Sequence, residues 1–393
     1  MLNGKSRKIA EKVAKAIGIT LLAFGLSLVI MQPFTISLAT LVSAKDRQDF
    51  NITDFYNIIA DGREVRELDR DIVIVDITGA TREDVAFILD VMPDFEPRAV
   101  GLDVIFDVPH GEEDSLLINA LVRMPDLAMI VDVEGERERG AEKFSVSEKS
   151  FFVSDLTPGH FGASNLPTKF DGGVVREFAV DYPLVDGGVM PSFPVAVASL
   201  VDTSAVSRLR SRGKHLEIIN YPSRTFRHVK WENFGDDPDL LRGKIALIGA
   251  MENQSDMHAT PPQRKLSGIE IHALALSTIL NDNYIDSLGS FTNLAIAFVL
   301  CFLMAIIHLS LPPEFKSLAL RLLQVAVLYA IIRIGYSFFI EHSLIIDFSY
   351  TLLMMAFVLF ACDIWYGVPG FCRYARRLIS KLFTRRCASA SAK

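Results

Sequence analysis

The chain has 393 residues, half of them hydrophobic, and a formal net charge of −7. Its mean hydropathy of +0.30 is high for a water-soluble protein and low for a bare bundle of membrane spans. The mild acidity, with no basic stripe interleaved with aromatics, excludes nucleic acid as a partner.

The apolar residues are unevenly spread. Five basic residues, Lys5, Arg7, Lys8, Lys12 and Lys15, precede a run from Ile17 to Ala44 that holds no charge. At about 1.5 Å per helical residue the run is long enough to cross a ~30 Å hydrocarbon core. Val42-Ser43-Ala44 has the small residues of a signal-peptidase site. The apolar core, however, exceeds the roughly 7–15 residues of a signal peptide and contains Gln32-Pro33, which favours an uncleaved anchor. In either case the following segment is exported.

Residues 45–290 carry most of the acids and read as a water-soluble fold. Asp71–Ile77 is a nearly continuous β-branched run, as in a strand buried on both faces. Arg82–Val91 follows as a helix ended by Pro93, and Ala99–Phe106 is a second strand. Asp114–Met124 reads as a helix and Leu127–Val133 as the next strand. Gly135–Lys149 is polar and is expected to be a loop. Val174–Val185 alternates like a strand turned at Asp186-Gly187-Gly188, Phe193–Val201 reads as a helix, and Leu216–Tyr221 and Lys244–Gly249 read as strands. Strands alternating with helices predict an α/β fold, a mostly parallel sheet with helices on both faces.

Three more apolar stretches close the chain, Phe291–Leu311, Leu318–Ile340 and Leu344–Tyr366, followed by a tail with Arg373, Arg376, Arg377, Lys381, Arg385 and Arg386. Basic residues stay on the cytoplasmic side, which places both termini and Lys316 inside and residues 45–290 outside. The expected organisation is a cytoplasmic N-terminus and first span (1–44), an extracytoplasmic domain (45–290), three spans (291–367) and a short basic cytoplasmic tail (368–393) in the inner (plasma) membrane. All four cysteines, Cys301, Cys362, Cys372 and Cys387, fall in the spans or tail, so the exported domain has no disulfide.

Several segments of that domain resemble the CHASE sensory domain of the second class. They are Gly243–Ala250 followed by Asp256, Thr260-Pro261 and Gly268-Ile269-Glu270-Ile271-His272-Ala273, with the strands at Asp71–Asp76 and Val100–Phe106 and the motif Asp171-Gly172-Gly173-Val174-Val175-Arg176. One span before and three after are also similar to that family's arrangement. The Trp-Pro dipeptide typical of the family is missing from Thr78–Val91. The resemblance implies a sensory input module. The family's usual output domain, a kinase or a cyclase, does not fit in residues 368–393, so a separate cytoplasmic or membrane signalling partner is expected.

Chemistry-bearing motifs are scarce. There is no nucleophile elbow, no zinc-protease helix and no cysteine pair for zinc, and Gly243-Lys244 opens a strand rather than the helix a phosphate loop needs. No cofactor, no metal and no enzymatic activity are expected. Ligands of open α/β sheets bind beyond the carboxyl ends of the strands. That places Asp76, Asp107, Asp256 and Thr260 around one crevice, with Asp103 in its strand and Glu270 and His272 opening a helix. They would bind a cation, a cationic metabolite or a polar ligand as a small-molecule or protein signal, or else serve as hydrogen-bonded acids and a core histidine that fix the fold. In the spans, Arg333 and Asp347, and Arg321 and Asp363, lie at similar depth in an antiparallel hairpin, so each Arg is expected to pair with an Asp or to snorkel to lipid headgroups. The leading function is a membrane-anchored sensory protein. An envelope assembly factor, or less favoured an exported hydrolase, is the alternative, and a homodimer stays open.

Overall fold

A computed structural model describes residues 4–42, 51, 53–62, 67–124, 126–138, 141–147, 161–168, 173–222, 224–261, 264–312 and 318–368. The chain divides into two compact units, residues 47–286 and residues 1–46 with 287–393.

The first unit is built on a sheet of six strands: β1 (Glu67–Asp76), β2 (Ala99–Asp103), β3 (Leu127–Val131), β6 (Phe161–Ala163), β11 (Arg224–Lys230) and β12 (Ile245–Gly249), in the order β11-β1-β12-β2-β3-β6. Every neighbouring pair runs parallel. The period-two alternation of side chains explains why the strands are apolar throughout. Val73 and Val75 of β1 point into one core, with Val100 and Leu102 of β2. Ile72 and Ile74 point into the opposite core, with Ile245 and Leu247 of β12. The first core is covered by α3 (Arg82–Val91) and α4 (Glu112–Val122), the second by α5 (Phe193–Val201), α6 (Thr203–Ser211) and α7 (Gly268–Leu280). On β2, Gly101 sits where any Cβ would meet Leu247, Phe193 and Val197 at 2.7–3.0 Å, so this close approach of α5 requires glycine.

The ordered helices begin as their sequences dictate. Thr81 and Asp84 form a reciprocal capping box at α3, and Ser267 and Glu270 do the same at α7. Helix α7 is buried over almost its whole surface. Helix α2 (Asp54–Asp61) is anchored by a buried pair: Arg176 donates from Nε to Asp54 Oδ1 at 2.8 Å and from Nη2 to Oδ2 at 2.7 Å.

Three sequence expectations need correction here. Residues 135–149 are not a simple loop: β4 (Val133–Glu138) and β5 (Ala141–Val146) form an antiparallel hairpin outside the main sheet. It lacks a continuous apolar face because only Val133, Phe144 and Val146 reach a small core with Ala163, Ala179 and Tyr182. Val174–Val185 is not one strand. It breaks at Val180 into β7 (Glu177–Ala179), paired with β10 (Leu216–Ile218), and β8 (Asp181–Pro183), paired with β9 (Val189–Pro191). The turn at Asp186-Gly187-Gly188 is present, with Gly187 at φ +90°. Edge strands β6 and β11 were not anticipated; β6 is three residues long and β11 is largely polar. Of the mid-domain motif, Asp171 and Gly172 lie outside the described residues, as do Lys316 and the basic tail.

The second unit contains four helices long and apolar enough to cross a membrane: Ser6–Val29 within α1 (Gly4–Val42), α8 (Ser290–Ser310), α9 (Leu318–His342) and Ser349–Val368. Phe24 packs on Phe298 with ring centroids 5.1 Å apart, tying α1 to α8. The last two spans are tied by Gln324, whose amide donates to the carbonyls of Met355 and Ala356. Among the described residues no ion pair joins Arg333 to Asp347 or Arg321 to Asp363. Arg321, Arg333 and Asp363 face outward from the bundle. Asp347 lies just before the fourth span and accepts from the N–H and hydroxyl of Ser349, so a local cap takes up the carboxylate.

Candidate functional site

The register of the central strands sets Asp76, Gly249 and Asp103 side by side at the carboxyl ends of β1, β12 and β2. The chain leaves β1 and β2 toward the α3–α4 face but leaves β12 toward α7 on the other. Such a divergence opens a crevice above the sheet. Here the crevice is a cleft of about 1020 Å³.

Asp76 stands beside this region and is engaged through one oxygen. Its Oδ1 accepts from the Thr78 N–H at 2.9 Å, the Thr78 hydroxyl at 2.6 Å and the Met251 N–H at 3.1 Å. Burial pulls its pKa upward, yet these bonds outweigh burial and hold the carboxyl below its usual range. Asp76 therefore stitches the end of β1 to the loop after β12.

Asp103 is the opposite case. It lines the cleft, and no hydrogen bond reaches its carboxyl among the described residues. Burial, reinforced by the nearby Asp256 carboxylate, pushes its pKa up to about 8. Asp256 is held in the turn after β12, with Oδ1 3.0 Å from His258 Nε2 and Oδ2 accepting from the Gly268 N–H at 3.1 Å. Gly268 begins α7, and a Cβ there would stand 2.7 Å from Asp256 Oδ2, so glycine lets the carboxylate approach the helix start. A carboxylate at a helix N-terminus is favoured by the exposed N–H groups and the helix dipole.

One turn further along α7, His272 lines the cleft while only 3% exposed. Its ring meets Phe193 edge to face at 5.2 Å, and its Nδ1 has no hydrogen-bond partner. Burial pushes its pKa down to about 4, against the pull of Asp256, with His258 adding to the depression. The imidazole is neutral at physiological pH.

The other sequence candidates divide. Asp107 is exposed and lines the cleft on the loop after β2. Thr260 does not reach the cleft; it is fully buried and closes the turn between β13 (Met257–Ala259) and β14 (Lys265–Ser267) by donating to the Arg264 carbonyl at 2.8 Å. Glu270 is a capping residue, accepting from the Ser267 N–H and hydroxyl. Both are polar groups whose hydrogen bonds are spent on local backbone. The cleft also recruits residues that the sequence reading did not single out: His110, Asp132, Ser164 and Asn165. They come from loops after separate strands, and only the parallel alignment of those strands brings them together. Arg82 lines it too, but its guanidinium is engaged by Asp114 and the Val108 carbonyl and lies over Phe106. Among the described residues, no three His, Cys, Asp or Glu side chains gather as a metal site.

Four membrane-length helices and a parallel α/β domain with an open cleft define the class: a membrane protein carrying a folded domain on its spans. The profile of the CHASE2 domain matches residues 34–308, and the chain belongs to that family. CHASE2 domains are extracellular sensory domains rather than catalytic ones. No curated protein and no solved structure matches the chain.

Proposed function

We propose that this chain is a non-enzymatic receptor of the plasma membrane. Its domain 45–290 lies outside the cytoplasm, both termini lie inside, and a signal bound in the cleft is relayed through the spans to a separate signalling partner. The observation that supports this reading is the cleft itself. Its lining carries a half-buried carboxyl group that accepts no hydrogen bond among the described residues (Asp103) and a buried imidazole with an unpartnered Nδ1 (His272), whereas Asp76, at the same level of the sheet, accepts three. Buried polar groups in folded proteins are nearly always paired, so the orphaned Nδ1 of His272 at the cleft supports a place that a ligand completes.

Binding to the folded state raises the melting temperature. A thermal-shift screen of the purified full chain against small polar metabolites should therefore give stabilising compounds. Ser255→Trp, which sets a bulky ring among the cleft-lining residues, should weaken their effect; shifts left unchanged in this variant, or none at all in the parent, would overturn the receptor reading. Orientation is tested separately. Reporters fused at residue 200 and in the 341–343 loop should be active outside, and those at 315 and 385 only inside.

A further inference from the structure

The cleft has a definite charge character. Its lining carries Asp103, Asp107, Asp132 and Asp256, and its only Lys or Arg among the described residues is Arg82. That guanidinium is already bound to Asp114 and the Val108 carbonyl. A ligand entering the cleft meets carboxyl groups and no free cation. Asp256 spends one oxygen on His258 and the other on the Gly268 N–H, but a carboxylate oxygen has a second lone pair to offer. Asp103 offers both of its oxygens once it gives up its proton.

His272 supplies an observation independent of the acids. Its ring interacts with the backbone of Ser164, and its Nδ1 is unpartnered. A neutral imidazole carries one proton. Placed on Nε2 toward Ser164, that proton leaves Nδ1 a bare acceptor. A bare Nδ1 offers an anion no donor, and repulsion from Asp256 would oppose one. A primary ammonium has three donors and a positive charge, and it matches two carboxyl groups and one imidazole nitrogen.

We propose that the cleft binds a small polar ligand through a primary amine, its ammonium held between Asp103 and Asp256 with His272 Nδ1 as third acceptor. The proposal rests on the receptor reading above and specifies its ligand class. The remaining volume, with Asp107, Asp132, Ser164 and Asn165 on its walls, holds the rest of the ligand. A bound ammonium also removes the reason for Asp103 to keep its proton. With its pKa pushed up to about 8 in the empty cleft, Asp103 is mostly protonated at neutral pH and loses that proton as the cation enters. The groups that face it are Asp256 and His258 from the segment after β12, His272 of α7, Asp107 and His110 after β2, Asp132 after β3 and Arg82 of α3. His272 is already neutral, so Asp103 governs the response between neutrality and about pH 8.

Isothermal titration of the full chain in lipid nanodiscs tests this with 1,4-diaminobutane, its neutral isostere 1,4-butanediol, succinate and calcium as probes. The diamine should bind at least about tenfold more tightly than the diol, the loss expected when a charge-assisted contact is missing. Its affinity should rise between pH 6 and about 8, and buffers of different ionisation enthalpy should report a released proton. Asp103→Asn, isosteric with the protonated acid, and Asp256→Asn should each weaken diamine binding about tenfold or more in protein that still melts cooperatively. The rim variant Asp107→Asn should have a far smaller effect. If the diol, succinate or calcium binds as well as the diamine, or Asp103→Asn and Asp256→Asn leave diamine binding intact, the amine class is wrong while the cleft remains a receptor site. If none of the four probes binds, the amine proposal fails, and the metabolite screen with Ser255→Trp separately decides the receptor reading.

Discussion

The carboxyl ends of β1 and β2 are separated by the single strand β12, and each carries an aspartate at the same level of the sheet. Asp76 accepts three hydrogen bonds and is held in its charged form. Asp103 accepts none, faces Asp256 and is held in its neutral form. Equal position in a sheet therefore does not give equal chemistry. What differs is the loop that follows: Asp76 is met by Thr78 two residues on, whereas Asp103 is followed by Val104 and Ile105, which offer no side-chain donor. The first end is a joint, and the second is left open to the cleft.

The comparison can be broken most forcefully where a carboxylate is best partnered. Asp54 is buried and bound through both oxygens by Arg176. Arg176→Leu leaves that charge uncompensated and should lower unfolding stability by about 3–5 kcal/mol, read from the denaturation midpoint. Asp76→Ala strips acceptors from two N–H groups and a hydroxyl and should cost about 2 kcal/mol or more. Asp103→Asn removes no hydrogen bond among the described residues; near pH 4, where the acid is neutral in the folded chain, it should stay within about 1 kcal/mol, and at higher pH it should stabilise. A large loss there would show that Asp103 is a structural acid after all.

The pH profiles sharpen the contrast, because the two acids act in opposite senses. Asp76 has a depressed pKa, so the unfolded chain binds its proton first as pH falls; its stabilisation is present above the unfolded value and is lost in acid. Asp103 has a raised pKa, so between its unfolded value of about 3.8 and about 8 the folded chain holds a proton that the unfolded chain has lost. Its contribution is complete below that window and falls as pH rises through it. The melting temperature of Asp103→Asn relative to the parent should therefore climb from pH 5 to 8, while that of Asp76→Ala relative to the parent should be lowest at neutral pH.

The smallest effect lies in the membrane unit. Asp347 accepts from Ser349 two residues on, as Asp76 accepts from Thr78, and makes no ion pair with Arg333. Arg333→Leu and Asp347→Leu should thus change the membrane level of the protein independently, their coupling under about 0.5 kcal/mol. Strong mutual rescue would restore the pair that the depth argument from sequence suggested.

Much of this was legible in the residues. The buried strands β1, β2 and β12 announce themselves as continuous β-branched runs, and the Gly-Ile-Glu-Ile-His-Ala segment carried the family resemblance that the profile match bears out. The edge strands β6 and β11 were not legible, because a strand paired on one side only needs neither length nor full apolarity. Within the site, the Asp-x-Thr and Asp-x-Ser spacings at 76–78 and 347–349 would have marked both aspartates as locally capped. Likewise, Ser267 three residues before Glu270 marked a capping box. His110, Asp132, Ser164 and Asn165 carry no such local signal. Their meeting depends on strand order, which single-sequence patterns do not encode.

Helix α7 bears on how the protein is made. It is 13 residues long and almost wholly buried, as apolar as a membrane span although it belongs to the α/β unit. At about 1.5 Å per residue it measures roughly 20 Å, well short of the ~30 Å hydrocarbon core. A translocation channel that sorts segments by hydrophobic length would release α7 to the far side and retain α8, whose 21 residues begin ten positions later at Ser290. Glu270 near its start further disfavours lateral escape into lipid. The brevity of one core helix thus sets an apolar segment of the α/β unit apart from the spans by length alone.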